Sequence, residues 1–271
     1  MTIVQALILG IVQGLTEFLP VSSSGHLVLG KTLLGVPEQG ITFEVFVHFG
    51  TLLAVVVAFR NDVLNLIRTF FSLFRPVNPQ ALRERYHKDA NLRLLVFIII
   101  ATIPAGLIGI LFEDKIEQAF NDPHLVCIML LVTALILSLT FFVKKPAKPL
   151  GFINTLLMGI AQSIAILPGI SRSGSTISSG LFCKVNGEDA ARFSFLLALP
   201  AILGATILKA AELGAEGFTG SYLVILAVGT IAAFLSGYLA IKSMLGIVRR
   251  GKLYWFAPYC FIVGLVGLLL V

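Results

Sequence analysis

Two apolar stretches, each broken by a proline and followed by a serine–glycine cluster, determine how this chain is organised. Residues 9–25 read LGIVQGLTEFLPVSSSG, and residues 158–174 read MGIAQSIAILPGISRSG. Each begins as an apolar helix and breaks at its proline, before it reaches the roughly 20 residues that a membrane span needs. A bilayer tolerates such broken backbone only where protein buries it or where it lines a wet cavity. Both stretches are therefore predicted to be re-entrant helix hairpins.

The composition excludes several classes of protein. Of 271 residues, 57% are hydrophobic and 13% are charged, and the mean hydropathy is +0.97. A soluble domain carries about 25% charged residues, so this chain cannot cover the surface of a water-soluble body. The composition rules out a soluble enzyme, a nucleic-acid binder and a disordered tail, and it predicts a polytopic membrane protein.

Six further apolar runs are long enough to be transmembrane helices. They are Ile41–Phe59, Leu92–Phe112, Leu125–Val143, Phe193–Leu208, Tyr222–Ile241 and Leu253–Val271. Together with the two hairpins, they predict an all-α integral membrane protein with six transmembrane helices in a single membrane domain, residues 1–271.

The distribution of lysine and arginine predicts the orientation. Basic residues concentrate in loops at 60–93, 144–148 and 242–252, whereas loops 113–122 and 209–216 carry more acidic than basic residues. By the positive-inside rule, the basic loops are cytoplasmic and the acidic loops are external. Both termini are then external, and the net charge of +6 requires no nucleic-acid partner.

The two hairpins also divide the chain into related halves. Leu9–Gly14 parallels Met158–Ser163, and Leu19–Gly25 parallels Leu167–Gly174 with one residue of slip. Each hairpin precedes three spans, and the charge distribution orients the halves oppositely. We therefore predict an inverted-topology repeat whose broken elements meet near the midplane of the bilayer. Its halves are residues 1–143 and 149–271.

Ionisable residues inside a membrane are costly and are candidates for function. The hairpins contain Glu17, His26 and Arg172. Polar and small residues accompany them: Gln13, Ser22, Ser23, Ser171, Ser173, Thr176, Gly169 and Gly174. Glycine lets backbone approach a ligand, helix N-termini bind anions, and arginine grips phosphate oxygens through a bidentate fork. A carboxylate, an imidazole and hydroxyls facing this arginine are what phosphoryl transfer requires, so we predict a phosphate-handling site.

Purely structural interpretations compete with this one. Glu17 and Arg172 can form an ion pair that only neutralises two buried charges. His26 alone can be a hydrogen-bonded packing residue. Glu44 and His48 lie four residues apart and therefore share a helix face, and they either line the site or form an interfacial pair.

Two long motifs resemble the signatures of a known family. Residues 13–26, QGLTEFLPVSSSGH, and residues 168–176, PGISRSGST, are similar to the two motifs of the bacterial undecaprenyl-diphosphatases, the bacitracin-resistance family. The resemblance covers essentially the whole chain. It implies a hydrolase in the bacterial cell membrane that removes the terminal phosphate of undecaprenyl diphosphate. The product is the lipid carrier for peptidoglycan and other wall polymers.

The resemblance also implies a role for each site residue. Arg172 clamps the diphosphate, Glu17 holds a metal or acts as a base, and His26 donates or relays a proton. Ser23, with Ser22 less favoured, is the candidate nucleophile. The substrate-binding residues are Gln13, Ser22, Ser171, Ser173, Thr176, Gly169 and Gly174.

A divalent cation, Mg²⁺ or Ca²⁺, is associated with the family. Glu17 and Gln13 are its candidate ligands here. The family has either glutamate or glutamine at the position of Gln13, so this chain offers the cation one carboxylate fewer than members with glutamate there. The resemblance further implies a site open to the outer face and a polyprenyl diphosphate substrate among membrane lipids. It leaves a homodimer open.

Two questions stay open at this level. The residues are compatible with attack by a serine and with direct attack by water. The architecture is also that of transporters, so a polyprenyl-phosphate flippase is the alternative function. A flippase needs no nucleophile and no acid–base pair, which favours the enzyme.

A phosphatase of the phosphatidic-acid-phosphatase type is discarded, because the histidine that its motif requires would stand at the position of Ser178.

Overall fold

The computed structural model describes residues 1–36, 42–74, 78–144, 146–213 and 220–270. Within these ranges the chain is helical, and its only extended pairing is an isolated bridge between Lys148 and Val185. The prediction of an all-α protein is confirmed. The predicted loop residues Lys145 and Glu216 lie outside the described residues.

The helices follow the order expected for two hairpins and their spans. The first part of the chain forms α1 (Ile3–Phe18), α2 (Ser23–Leu33), α3 (Thr42–Ala58), α4 (Arg60–Ser72), α5 (Pro79–Lys88), α6 (Ala90–Leu111), α7 (Glu113–Phe120) and α8 (Pro123–Leu139). The second part forms α9 (Phe152–Ile164), α10 (Arg172–Phe182), α11 (Gly187–Leu213), α12 (Gly220–Arg249) and α13 (Ala257–Leu270).

Several of these helices are long and apolar enough to cross a membrane, so the protein is a multi-pass membrane protein. Among the described residues, four segments meet this condition: α6, α8 with its following turn, α12 from Tyr222, and α13 with its preceding turn. A fifth candidate is α3 joined to α4, which bends by 90° between them. The predicted span Phe193–Leu208 lies within α11, whose 27 residues extend about 40 Å.

The segment 60–93, predicted as a loop, is instead largely helical. It contains α4 and α5, which lie between α3 and the candidate span α6. Helix α4 forms because Leu66 and Thr69 are buried on one of its faces. Helix α5 begins at the capping residue Asn78, whose side chain accepts the Gln80 N–H, and at Pro79 in the first turn. The charge count alone did not reveal this structure.

Both predicted hairpins have the expected helix–break–helix form. Helix α1 ends at Phe18 before Pro20, and α9 ends at Ile164 before Pro168. The second helices start in the same way, because the side chains of Ser22 and Ser171 accept the N–H of Gly25 and Gly174. Ser23 and Arg172 are consequently the first residues of α2 and α10.

Small residues let the first helix of each hairpin pack closely on a long neighbouring helix. Helix α1 lies against α12, and α9 lies against α6. A Cβ atom added to Gly10 would be 2.4 Å from the Gly229 carbonyl oxygen, and one added to Gly159 would be 2.4 Å from the Ala101 carbonyl oxygen. Such close backbone approach is the usual way that helices associate in lipid.

Candidate active site

The carboxylate of Glu17 is the centre of a polar cluster that both hairpins build. It is 7% exposed and accepts hydrogen bonds from Gln13 Nε2 at 2.9 Å and from Ser23 Oγ at 2.6 Å. The guanidinium Nη2 of Arg172 donates to its other oxygen and completes an ion pair. The structure therefore brings together four predicted site residues, from α1, α2 and α10.

Local backbone geometry explains why these side chains converge. Gln13 and Glu17 are one turn apart on α1 and share its buried face. Ser23 and Arg172 each occupy the first turn of a helix that starts at a hairpin break. The break before Ser23 is strained, since Ser22 has a φ of 69° although it is not a glycine. Such strain persists only where surrounding contacts hold it, and it is frequent at functional sites.

The two breaks contact each other directly. Ser173 Oγ donates to the Leu19 carbonyl oxygen at 3.2 Å. A Cβ atom added to Gly174 would lie 3.2 Å from the Cβ of Pro20. These contacts hold the tip of the second hairpin against the tip of the first, so Arg172 reaches Glu17 across 155 positions of sequence.

Helix α8 supports the break of the second hairpin through hydrogen bonds. The Thr133 hydroxyl donates to the Gly169 carbonyl oxygen at 2.9 Å and accepts the Ser171 N–H at 3.0 Å. Gly169 has a φ of 92°, and an added Cβ would be 2.3 Å from the Val126 carbonyl oxygen. Only glycine fits both the backbone conformation and this approach. Thr133 was not predicted, because a threonine inside an apolar span has no distinguishing sequence signal.

His26 lies beside this cluster but turns toward α13. Its Nδ1 is 2.8 Å from the Ser22 carbonyl oxygen, which can only accept, so Nδ1 carries a proton. Its Nε2 lies 2.7 Å from the Tyr259 hydroxyl, and the two rings stack with centroids 5.6 Å apart. Tyr259 is a site residue that sequence reasoning missed, because 233 positions separate it from His26.

The sequence left open whether Glu44 and His48 line the site or form an interfacial pair. In the structure the two side chains have different partners. His48 Nε2 lies 3.8 Å from Glu17 Oε2, so His48 borders the carboxylate. Its Nδ1 donates to the backbone oxygen of Glu44 at 2.7 Å. The Glu44 carboxylate instead pairs with Lys31 of α2. The histidine lines the site, and the glutamate forms a separate ion pair.

The remaining predicted binding residues mostly support the backbone. Ser171 Oγ accepts the Gly174 N–H and lies 3.4 Å from Ser173 Oγ. The hydroxyl of Thr176 donates to the Arg172 carbonyl oxygen at 2.8 Å and lies 2.6 Å from Ser194 Oγ. Thr176 therefore connects α10 to α11, and the structure does not bring its side chain to the carboxylate.

Two buried polar atoms beside Glu17 are left without a partner. Within the described part of the chain, no hydrogen bond reaches Arg172 Nη1 or Gln13 Oε1. A buried donor or acceptor without a partner is costly and usually marks a bound water, ion or ligand. The first atom is a cationic donor suited to a phosphate oxygen, and the second is an oxygen suited to a hard cation.

The electrostatics favour an anion at this position. Glu17 and Arg172 neutralise each other, and the N-termini of α2 and α10 add partial positive charge at the two breaks.

Among the described residues, no group of three His, Cys, Asp or Glu side chains forms a metal site. Mg²⁺ nevertheless is usually bound by one or two carboxylates together with substrate phosphates. Glu17 and Gln13 Oε1 fit that pattern.

The fold and the site define a multi-pass helical membrane protein whose polar centre is shared by two broken hairpins. Residues 6–266 match the family model described as bacitracin resistance protein BacA, and the chain belongs to this family. It is 46% identical to an undecaprenyl-diphosphatase of Salinibacter ruber over 99% of both chains. It is 42% identical to the undecaprenyl-diphosphatase of Methanobrevibacter smithii, over 98% of this chain and 96% of the relative.

Proposed function

We propose that this protein is a membrane-embedded phosphatase that hydrolyses undecaprenyl diphosphate to undecaprenyl phosphate and inorganic phosphate. It thereby recycles the lipid carrier for peptidoglycan and other wall polymers. The names of full-length relatives support the substrate. The observation that carries the proposal is the buried carboxylate of Glu17, which joins a serine hydroxyl of one hairpin to the arginine of the other.

Ser23 is the nucleophile in this proposal. Its hydroxyl donates to Glu17 Oε2 at 2.6 Å, so the carboxylate can accept the proton as Oγ attacks the terminal phosphorus. The bond from that phosphorus to the bridging oxygen breaks, and undecaprenyl phosphate leaves. Glu17 then releases that proton to the departing undecaprenyl phosphate. Water attacks the phosphoserine while Glu17 accepts a proton from the water, the bond from phosphorus to Ser23 Oγ breaks, and Glu17 returns the proton to Oγ as phosphate departs.

Arg172 stabilises the charge that develops on the transferred phosphoryl group. Its Nη2 is held by Glu17, and the unpartnered Nη1 is available for a phosphate oxygen. Ser22, Ser171 and Ser173 act mainly as positioning residues, because their hydroxyls cap the two helices and join the breaks. Gly169 and Gly174 permit the close approach of backbone that brings Arg172 to the carboxylate.

A divalent cation, when bound, would neutralise charge on the phosphate oxygens. Glu17 and the free Oε1 of Gln13 would hold it together with substrate oxygens. His26 would serve as proton donor or relay through its hydrogen bond with Tyr259.

The orientation is proposed from the charge pattern, with both termini outside and segment 60–93 in the cytoplasm. The family resemblance supports the bacterial cell membrane as the location and a site that opens to the outer face. The two halves, 1–143 and 149–271, form an inverted repeat. The packing of α1 on α12 and of α9 on α6 supports this, because each hairpin contacts the equivalent span of the other half.

Release of phosphate by the purified protein in detergent tests the function, since a flippase produces no phosphate. We expect wild-type protein to hydrolyse undecaprenyl diphosphate and Ser23→Ala to be almost inactive, with Ser24→Ala as the matched control that retains activity. Activity in Ser23→Ala close to that of wild type would favour direct attack by water. Absence of hydrolysis by the wild type across divalent cations would contradict the phosphatase.

A further inference from the structure

Helix α4 lies at right angles to α3, the helix that precedes it. Helix α3 ends at Ala58, and α4 starts at Arg60 after a 90° bend at Phe59. If α3 crosses the bilayer, this bend directs α4 along the membrane surface. Different faces of α4 would then contact the protein, the lipid and water.

One face of α4 packs on the protein. Leu66 and Thr69 are buried, and Leu66 belongs to the main hydrophobic core. Asp62, on the same face, forms an ion pair with Arg192 in the first turns of α11. At 100° per residue these three side chains point in nearly one direction, so this face is occupied.

The opposite face is apolar and exposed. Leu64, Ile67 and Phe71 are 49%, 47% and 65% exposed, and their spacing of three or four residues aligns them in one stripe. Phe74, in the turn that follows α4, is 74% exposed and extends this apolar surface beyond the end of the helix. The ring of Phe70 contacts those of Phe71 and Phe74, with centroids 5.7 and 5.3 Å away. An aromatic stripe of this size on a helix at a membrane edge is typical of insertion among lipid headgroups and upper acyl chains.

Arginines border this stripe. Arg60 starts the helix at the bend, and Arg68 lies between the stripe and the polar side that carries Asn61 and Asn65; both arginines are exposed. Long basic side chains at such a boundary keep their stems on apolar surface and reach lipid phosphates with their charged ends.

We infer that α4 is an in-plane membrane helix, and that Arg60 and Arg68 beside its aromatic stripe bind anionic phospholipid headgroups. The right-angle bend, the exposed stripe opposite an occupied protein face and the arginines at the boundary each favour this partner. The inference concerns the membrane surface of the protein, and it is independent of the phosphatase activity.

Tryptophan fluorescence in lipid vesicles tests the placement. The native tryptophan is removed by Trp255→Phe, and single tryptophans are introduced as Phe71→Trp on the stripe and Asn61→Trp on the polar side. We expect the tryptophan at position 71 to be quenched by phospholipid brominated on its acyl chains and shielded from aqueous iodide. The matched tryptophan at position 61 should show the reverse.

The lipid preference is tested with brominated phosphatidylglycerol or phosphatidylcholine as a minor fraction of phosphatidylcholine vesicles. One basic residue near an anionic surface predicts a local enrichment of roughly five-fold. Brominated phosphatidylglycerol should therefore quench position 71 more strongly, and Arg60→Gln with Arg68→Gln should abolish the difference. Equal quenching by both lipids in the parent would refute anionic binding. Iodide access at position 71 would refute insertion, and shielding from both iodide and bromine would indicate a protein contact instead.

Discussion

Replacing Arg172 by lysine should separate the charge of this residue from its forked geometry. In the structure Nη2 is bound to Glu17, while Nη1 has no partner among the described residues. The single nitrogen of lysine can keep the ion pair, but it lacks the second nitrogen that the planar guanidinium offers to a phosphate oxygen. Loss of one transition-state donor reduces turnover by about 10²–10³, which is about 3–4 kcal/mol. Because the buried charges stay paired, we expect Arg172→Lys to unfold close to the wild-type temperature.

Removing the charge of Arg172 should lower the stability of the protein, unlike the lysine substitution. Arg172→Ala leaves the carboxylate of Glu17 buried without its cation, and loss of one partner of a buried pair costs about 3–5 kcal/mol. Glu17→Ala leaves the cation unpaired and also removes the acceptor of Ser23 and Gln13. The double variant buries neither charge, so it should recover part of the stability while staying inactive.

Phosphate release and thermal unfolding in the same detergent provide both readouts. Arg192→Lys is the matched control, because Arg192 pairs with Asp62 away from the site, and its turnover should equal that of wild type. Hydrolysis that survives in Arg172→Ala or Glu17→Ala would refute the catalytic interpretation. So would turnover within ten-fold of wild type in Arg172→Lys. The pair would then be a structural neutralisation of two buried charges.

Three further outcomes are expected. Gln13→Glu should keep activity and tighten its dependence on divalent cations, because a second carboxylate joins Glu17; inactivity that added cation does not restore would contradict Gln13 as a ligand. Gly169→Ala should lower stability by about 1–3 kcal/mol more than Gly251→Ala in thermal unfolding. Both glycines have positive φ, but only the first has backbone within 3 Å of the added Cβ; equal losses would mean that the break adapts. In a cysteine-free background, a cysteine at Gln118 should react with an impermeant reagent in intact cells and one at Arg83 should not, with the opposite pattern refuting the orientation.

The sequence by itself determined the class of protein and the broken hairpins. Low charge and long apolar runs are sufficient to predict a membrane protein, because a chain with so few polar residues cannot cover its surface in water. The prolines and the serine–glycine clusters are sufficient to predict the broken hairpins, since they act on backbone within a few residues. The sequence therefore predicted a break between two short helices at each proline, while the caps at Ser22 and Ser171 and the helix starts at Ser23 and Arg172 were found in the structure.

Only the tertiary structure decided which side chains meet. The contact between Glu17 and Arg172, the turn of His26 toward Tyr259 and the placement of His48 beside the carboxylate all depend on how helices rotate and pack against one another. The charge count likewise treated segment 60–93 as a loop, whereas burial of one face of α4 against the core made it a helix with an apolar stripe outside. These features arise from contacts between residues far apart in the chain, and the physical reason is that local backbone preferences fix where a helix starts but not which neighbour its faces will find.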